Sequence, residues 1–99
     1  MPSRRESPSV ASDEEQELLE ALRRLKVSDV LVQSLTTISS LAWQRLSEEG
    51  RDLDQARLAI DTLRAVVPLF GEAVPAELVR DLEQVTANLQ LAYAKAVAA

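Results

Sequence analysis

The chain of 99 residues contains neither cysteine nor histidine. Without cysteine there is no disulfide framework, no thiol nucleophile and no thiolate metal site. Without histidine the usual general base near neutral pH is gone, and with it the Ser-His and Cys-His arrangements and most transition-metal sites. Aromatic residues are limited to Trp43, Phe70 and Tyr93, so leucine, valine, isoleucine and alanine must build the core. Two glycines and four prolines are too few turn residues for a many-stranded sheet. The chain also lacks a surplus of positive charge. Its net charge is −5, from 11 basic and 16 acidic residues, and no basic stripe marks a nucleic-acid footprint. Arg4-Arg5 and Arg23-Arg24-Lys26 cluster locally, but acids stand beside each group.

The start of the chain, MPSRRESPSV, has no apolar segment of the kind a secretory signal carries. The longest uncharged run, Val30 to Gln44, is too short and too polar for a membrane span of roughly 18–20 apolar residues. The expectation is a soluble cytoplasmic protein with no membrane partner. Its length supports one small domain.

That uncharged run, VLVQSLTTISSLAWQ, is the most informative feature of a chain that is 27% charged. A surface helix normally spends its outward face on Lys, Glu and Arg, and this one does not. Leu31, Leu35, Ile38, Ala42 and Leu46 share one face, while Gln33, Thr36, Thr37, Ser40 and Gln44 occupy another. Two readings stand side by side. Other helices of the same chain wrap it, or two copies meet across it. Under the second reading the candidate interface is Leu35, Ile38, Ser39, Ala42, Trp43 and Leu46, and the partner is a second copy of the chain.

Residues 1–12 read as a disordered tail, poor in apolar residues. The spacing then predicts four helices. The first runs from about Asp13 to Leu25, with Ser12 as N-cap and Glu15 completing a capping box. Leu18, Leu22 and Leu25 form its narrow apolar seam, with Leu19 beside it. The acids of residues 13–17 complement the helix dipole and lack the ligand spacing of a calcium loop. The second spans about Asp29 to Glu48, with Ser28 as N-cap and Gly50 as a left-handed C-cap residue. The third spans about Leu53 to Val67, with Asp52 as N-cap and Gln55 closing a capping box. Its seam of Leu53, Ala56, Ile60, Leu63 and Val67 has the 3-4-3-4 spacing of a bundle helix. Pro68 and Gly71 end it. The fourth spans about Pro75 to Val97, with Pro75 at the first helical position and a seam of Leu78, Leu82, Val85, Leu89, Ala92 and Ala96. The fold class is therefore all-α: a small antiparallel bundle of three core helices in residues 27–99, preceded by an amphipathic helix in residues 13–26.

The segment Asp52 to Leu63 (DLDQARLAIDTL) and the ending Leu89 to Ala96 (LQLAYAKA), together with the helix LVQSLTTISSLAWQRL, resemble the small bacterial helical proteins of the domain of unknown function 1844 family. Leu53, Ala56, Arg57, Ile60, Asp61, Leu63, Leu89 and Tyr93 carry the resemblance, which covers roughly Val27 to Ala96. It implies a bacterial, helical, non-catalytic protein and supplies no activity, cofactor or partner. The first helix falls outside it, and the connection EEGRD is shorter than in some members.

The resemblance singles out Arg57, Asp61 and Tyr93 as candidate structural polar residues. Arg57 and Asp61 form either an exposed i,i+4 ion pair or a contact to a hydroxyl of the second helix or to Tyr93 that fixes bundle register. Tyr93 suits the edge of the core. Trp43 suits either the core or an interface anchor. No catalytic, metal or cofactor constellation is present, and an enzyme built on carboxylates and Tyr93 has nothing to single out its residues. The function these residues favour is a non-catalytic interaction module, a small bacterial cytoplasmic scaffold or adaptor acting as a homo-oligomer and binding a further protein. The alternative is a regulator attached to nucleic-acid or ribosomal machinery, resting on the two basic clusters.

Overall fold

The computed structural model describes residues 9–99, with side chains from Asp13 onward. Among them are four α-helices and no strand. These are α1 (Ser9–Arg24), α2 (Val27–Leu46), α3 (Leu53–Val66) and α4 (Ala76–Ala98), with a 3₁₀ turn at Val67–Phe70 between the last two. Helices α2, α3 and α4 pack on one another as a bundle, and α1 forms no packing interface with any of them. The all-α class and the three-plus-one arrangement thus follow the seams read from the sequence.

The bundle core is Leu35, Ala42 and Leu46 from α2, Ala56, Ile60 and Leu63 from α3, and Leu82 and Leu89 from α4. Val67, Phe70 and Val74, from the connection around Pro68, close one end of it. This connection is therefore part of the core and more than a turn. Pro68 sits in the first turn of the 3₁₀ segment, where its missing N–H has no ladder to break. Gly71 follows with φ 51 and ψ −124. The Ala73 N–H donates to the Phe70 carbonyl at 2.8 Å, which makes Gly71 the first central residue of a type II′ turn, a position that demands positive φ.

Two hydroxyls lie in the core, Ser39 of α2 and Thr86 of α4. Each donates to the carbonyl four residues back, Leu35 at 2.8 Å and Leu82 at 2.7 Å. No buried side-chain polar atom among the described residues lacks a partner. A hydroxyl satisfied by its own helix can enter an apolar core at little cost. Thr86 lies on the Leu82–Leu89 side of α4, where apolar periodicity alone does not flag it.

Helix boundaries depart from expectation at several ends. Helix α1 is already helical at Ser9, so Ser12 lies inside it and not at its cap, and residues 9–12 of the expected tail belong to the helix; the Ser12 side chain lies outside the described residues. Residues 1–8 lie outside the described residues. Helix α2 begins at Val27 with Lys26 as its extended N-cap. The Lys26 carbonyl accepts from the Asp29 and Val30 N–H groups, which leaves Ser28 within the first turn and not at the cap. At the far end, Ser47 closes α2. Its hydroxyl donates to the Gln44 carbonyl at 2.7 Å and accepts from the Gly50 N–H at 3.1 Å.

Gly50 therefore is not a left-handed cap, since only Gly71 has positive φ among the described residues. It is needed for space, because a Cβ there would stand 2.7 Å from the Gln44 carbonyl oxygen. Asp52 does cap α3, accepting from the Gln55 N–H at 3.2 Å. The Asp52 N–H donates to the Arg45 carbonyl at 2.8 Å. It is therefore already engaged, and Gln55 closes no reciprocal box. Pro75 is the N-cap of α4, one position before the first helical residue.

The three-helix part can be little longer than its longest helix, α4, whose 23 residues span about 35 Å. The longest dimension is nevertheless 65 Å, and the radius of gyration is 19.6 Å against about 13 Å for a compact chain of this length. The difference is α1, about 24 Å of helix projecting from the bundle.

Candidate interaction surface

Chemistry offers little on which to build a site. Among the described residues no three His, Cys, Asp or Glu side chains gather as a metal would require. No described helix is long and apolar enough to cross a membrane. What stands out is apolar surface left open in two places.

The first is the seam of α1. Leu18, Leu19, Leu22 and Leu25 are each half exposed or more, at 62%, 50%, 54% and 52%. Their three- and four-residue spacing is that of a helix prepared to pack, yet among the described residues no helix covers them. Scattered exposed leucines are ordinary, but a whole helix seam left uncovered is not.

The second is a groove of about 410 Å³ where α2 and α3 run side by side, with core residue Ala42 in its lining. Ile38, Leu41, Ala42 and Arg45 of α2 and Leu58, Ala59 and Thr62 of α3 line it, with Asp52 and Gln55 at the start of α3. Leu41 and Leu58 are about half exposed or more. Leu58 is absent from the α3 seam read from the sequence, because it falls between that seam and the charged far face. A large apolar residue among Asp54, Arg57 and Asp61 was the signal available to find it.

The interface expected on α2 divides in the structure. Leu35, Ser39, Ala42 and Leu46 are buried inside the bundle, because α3 and α4 lie against α2 from two sides and together cover a broad arc. These four cannot meet a second copy unless the bundle opens. Ile38 is half-buried at the edge of the groove. Trp43 is 45% exposed and lies outside the residues packed against the core, so it is not a core filler. The hydroxyl arc faces outward. Thr36 and Thr37 are exposed and donate to the carbonyls of Val32 and Gln33, four residues back. The uncharged α2 face is thus partly satisfied by its own backbone.

Arg57 and Asp61 also face solvent. Arg57 Nε stands 3.8 Å from Asp61 Oδ2, with the side chains 71% and 56% exposed. The pair reaches neither Tyr93 nor a hydroxyl of α2, so it does not set bundle register; exposed pairs of this kind are worth about 0–1 kcal/mol. Tyr93 packs partly buried at the edge of the core. A different basic residue ties the ends of the fold together. Arg51 donates to the Ser47 carbonyl at 3.3 Å and to the Ala96 carbonyl of α4 at 3.5 Å, where a cation complements the negative end of the helix.

Comparison with protein families, curated proteins and solved structures finds no match for this chain.

Proposed function

We propose that this protein is a non-catalytic protein-interaction module that acts as a homo-oligomer, with α1 as its docking arm. The observation that carries this reading is the leucine seam of α1, exposed along its length. A helix with a packing face and nothing to pack on is completed by another protein surface. Trp43, exposed on an uncharged helix face, adds a residue type enriched at binding hot spots. Taken with the resemblance to the domain of unknown function 1844 family, the setting is a bacterial cytoplasm and the role that of a small scaffold or adaptor.

The test is mass by light scattering behind size-exclusion chromatography, on the full chain and on Trp43→Ala, together with a proteome-wide pull-down. A dimer weakened by the Trp43 substitution, with a protein recovered above control, supports the reading. A monomer at every concentration that recovers nothing sinks it. The alternative, attachment to nucleic-acid or ribosomal machinery, has the exposed Arg23, Arg24 and Lys26 in its favour. Glu20 and Asp29 flank them, and the whole chain is acidic. A gel shift that weakens steeply with salt would favour that alternative.

A further inference from the structure

Resting on the homo-oligomer reading above, we propose that two copies exchange their α1 arms. The leucine seam of one copy lies in the α2/α3 groove of the other, with Glu15 against the partner's Arg45. Among the described residues, the arm leaves an apolar seam uncovered, and the α2/α3 groove offers an apolar floor of Ile38, Leu41, Leu58 and Ala59 with Arg45 and Asp52 among its polar lining. Geometry then decides whether they meet within one chain or between two.

Within one chain they do not fit. Only Leu25 and Lys26 separate α1 from α2. If α1 folded back about that hinge, equal rise along the two helices would set Leu22 beside Val30 and Leu18 beside Ser34. Ile38 and Leu41 would then stand about 6 Å and 10 Å beyond the last leucine. What would lie against the groove is the acidic segment around Asp13 and Glu14. An apolar groove does not call for that segment. The structure shows α1 projecting away from its own bundle instead, which stretches the molecule to 65 Å.

Between two chains the register fits. Glu15 stands three residues before Leu18 and seven before Leu22, on the seam itself, at about 4.5 Å and 10 Å along the axis. Arg45 stands four residues after Leu41 and seven after Ile38, about 6 Å and 10 Å along α2. An arm running antiparallel to the partner's α2 therefore brings its leucines over Ile38, Leu41 and Leu58 when its Glu15 reaches Arg45. Arg45 lines the groove and is half-buried. Its side chain makes one hydrogen bond among the described residues, a long one, donating to the Gly50 carbonyl at 3.4 Å. Among the described residues the only ion pair is Arg57–Asp61; Asp52 lines the same groove as Arg45 without pairing with it, which leaves the guanidinium open to a second carboxylate.

The area argues for reciprocal exchange. A helix of 16 residues is about 24 Å long and 10 Å wide, so one arm in one groove buries roughly 500 Å² counting both surfaces. That falls short of the roughly 1,000 Å² a specific interface needs, and two arms related by a two-fold axis reach it.

The natural absence of cysteine gives a clean test. Two full-length variants, Leu22→Cys and Leu58→Cys, are purified reduced, mixed and oxidised. Both positions are more than half exposed, so neither substitution opens the core. The expected result is a mixed disulfide between the two variants in excess of either like-with-like product, from a protein that scatters light as a dimer. Leu18→Glu with Leu22→Glu abolishes the dimer and leaves the melting of the dilute bundle unchanged. Glu15→Arg weakens the dimer about fivefold, the scale of an exposed charge pair, and Arg45→Glu in the same chain restores it. Three results overturn the proposal. A dimer that survives the double glutamate variant without mixed disulfide leaves the homo-oligomer standing and refutes arm exchange. A chain carrying both cysteines that closes only on itself shows cis packing. A monomer refutes arm exchange and self-association together.

Discussion

Helices α1 and α3 carry much the same pattern, and the protein treats them in opposite ways. Each has an apolar seam at three- and four-residue spacing and a charged far face. The α3 seam is buried at Ala56, Ile60 and Leu63, while Leu18, Leu19 and Leu22 of α1 and Leu25 just after it are exposed. What separates them is the connection to α2. Between α2 and α3 the chain doubles back through Ser47, Gly50 and the 2.8 Å bond from the Asp52 N–H to the Arg45 carbonyl. Between α1 and α2 there are only Leu25 and Lys26, and the Leu25 N–H still donates to the Leu22 carbonyl. An amphipathic seam states that a face has to be covered; the turn beside it decides by what.

That contrast gives predictions of graded size. The largest effect belongs to the bundle. Leu63→Ala empties a fully buried position and should cost about 2–5 kcal/mol. At about 4–8 °C per kcal/mol for a domain of this size, the melting temperature falls by about 8 °C or more. A fall smaller than that would mean the core is looser than its burial shows.

The two glycines should both matter, for different reasons. Gly71→Ala meets open space but sits at φ 51, so its cost is torsional, about 1–3 kcal/mol. Gly50→Ala has an ordinary backbone and collides with the Gln44 carbonyl. A D-alanine at Gly71, introduced by chemical synthesis, should recover stability there, whereas no chirality at position 50 is expected to do so. Equal recovery at both would erase the distinction.

Asp52→Ala removes the cap of α3 and should cost about 1 kcal/mol, read as a 4–8 °C loss in the melt. An Asn in its place should retain most of the stability. The smallest effects should come from surfaces that nothing covers. Asp61→Asn breaks an exposed ion pair, and a shift above about 2 °C would reinstate a register role for it. Leu22→Ala should shift the melt of highly dilute protein by no more than about 0.5 kcal/mol, against several for Leu63→Ala. A large loss on dilution would show that α1 packs on its own bundle.

The helical class, the four helices and most of the core were legible in the sequence, because a 3.6-residue period in leucine, isoleucine and alanine records which face a helix buries. The Asp52 cap was legible for the same local reason. Caps at Ser12, Ser28 and Gly50 were not. A serine before a helical run is equally content inside the first turn, and a glycine after one serves close approach as well as positive φ. Thr86 in the core was hidden by its hydroxyl, and Phe70 and Val74 by lying in a connection without periodicity. For the candidate surface, the α1 seam was legible and Trp43 stands where an outward residue would. Leu35, Ser39, Ala42 and Leu46 were placed at an interface and are core instead. An apolar face looks the same in sequence whether its partner is α3 or a second molecule.

The sequence by itself determined which residues make helices and which faces of those helices avoid water, since both depend on spacing along one chain. The tertiary structure alone decided which of those faces find each other. That choice turns on three-dimensional closure, on the close approach at position 50, where a Cβ would stand 2.7 Å from the Gln44 carbonyl oxygen, and on the two-residue joint that carries α1 away from the bundle. It leaves α2, α3 and α4 closed on one another and α1 open.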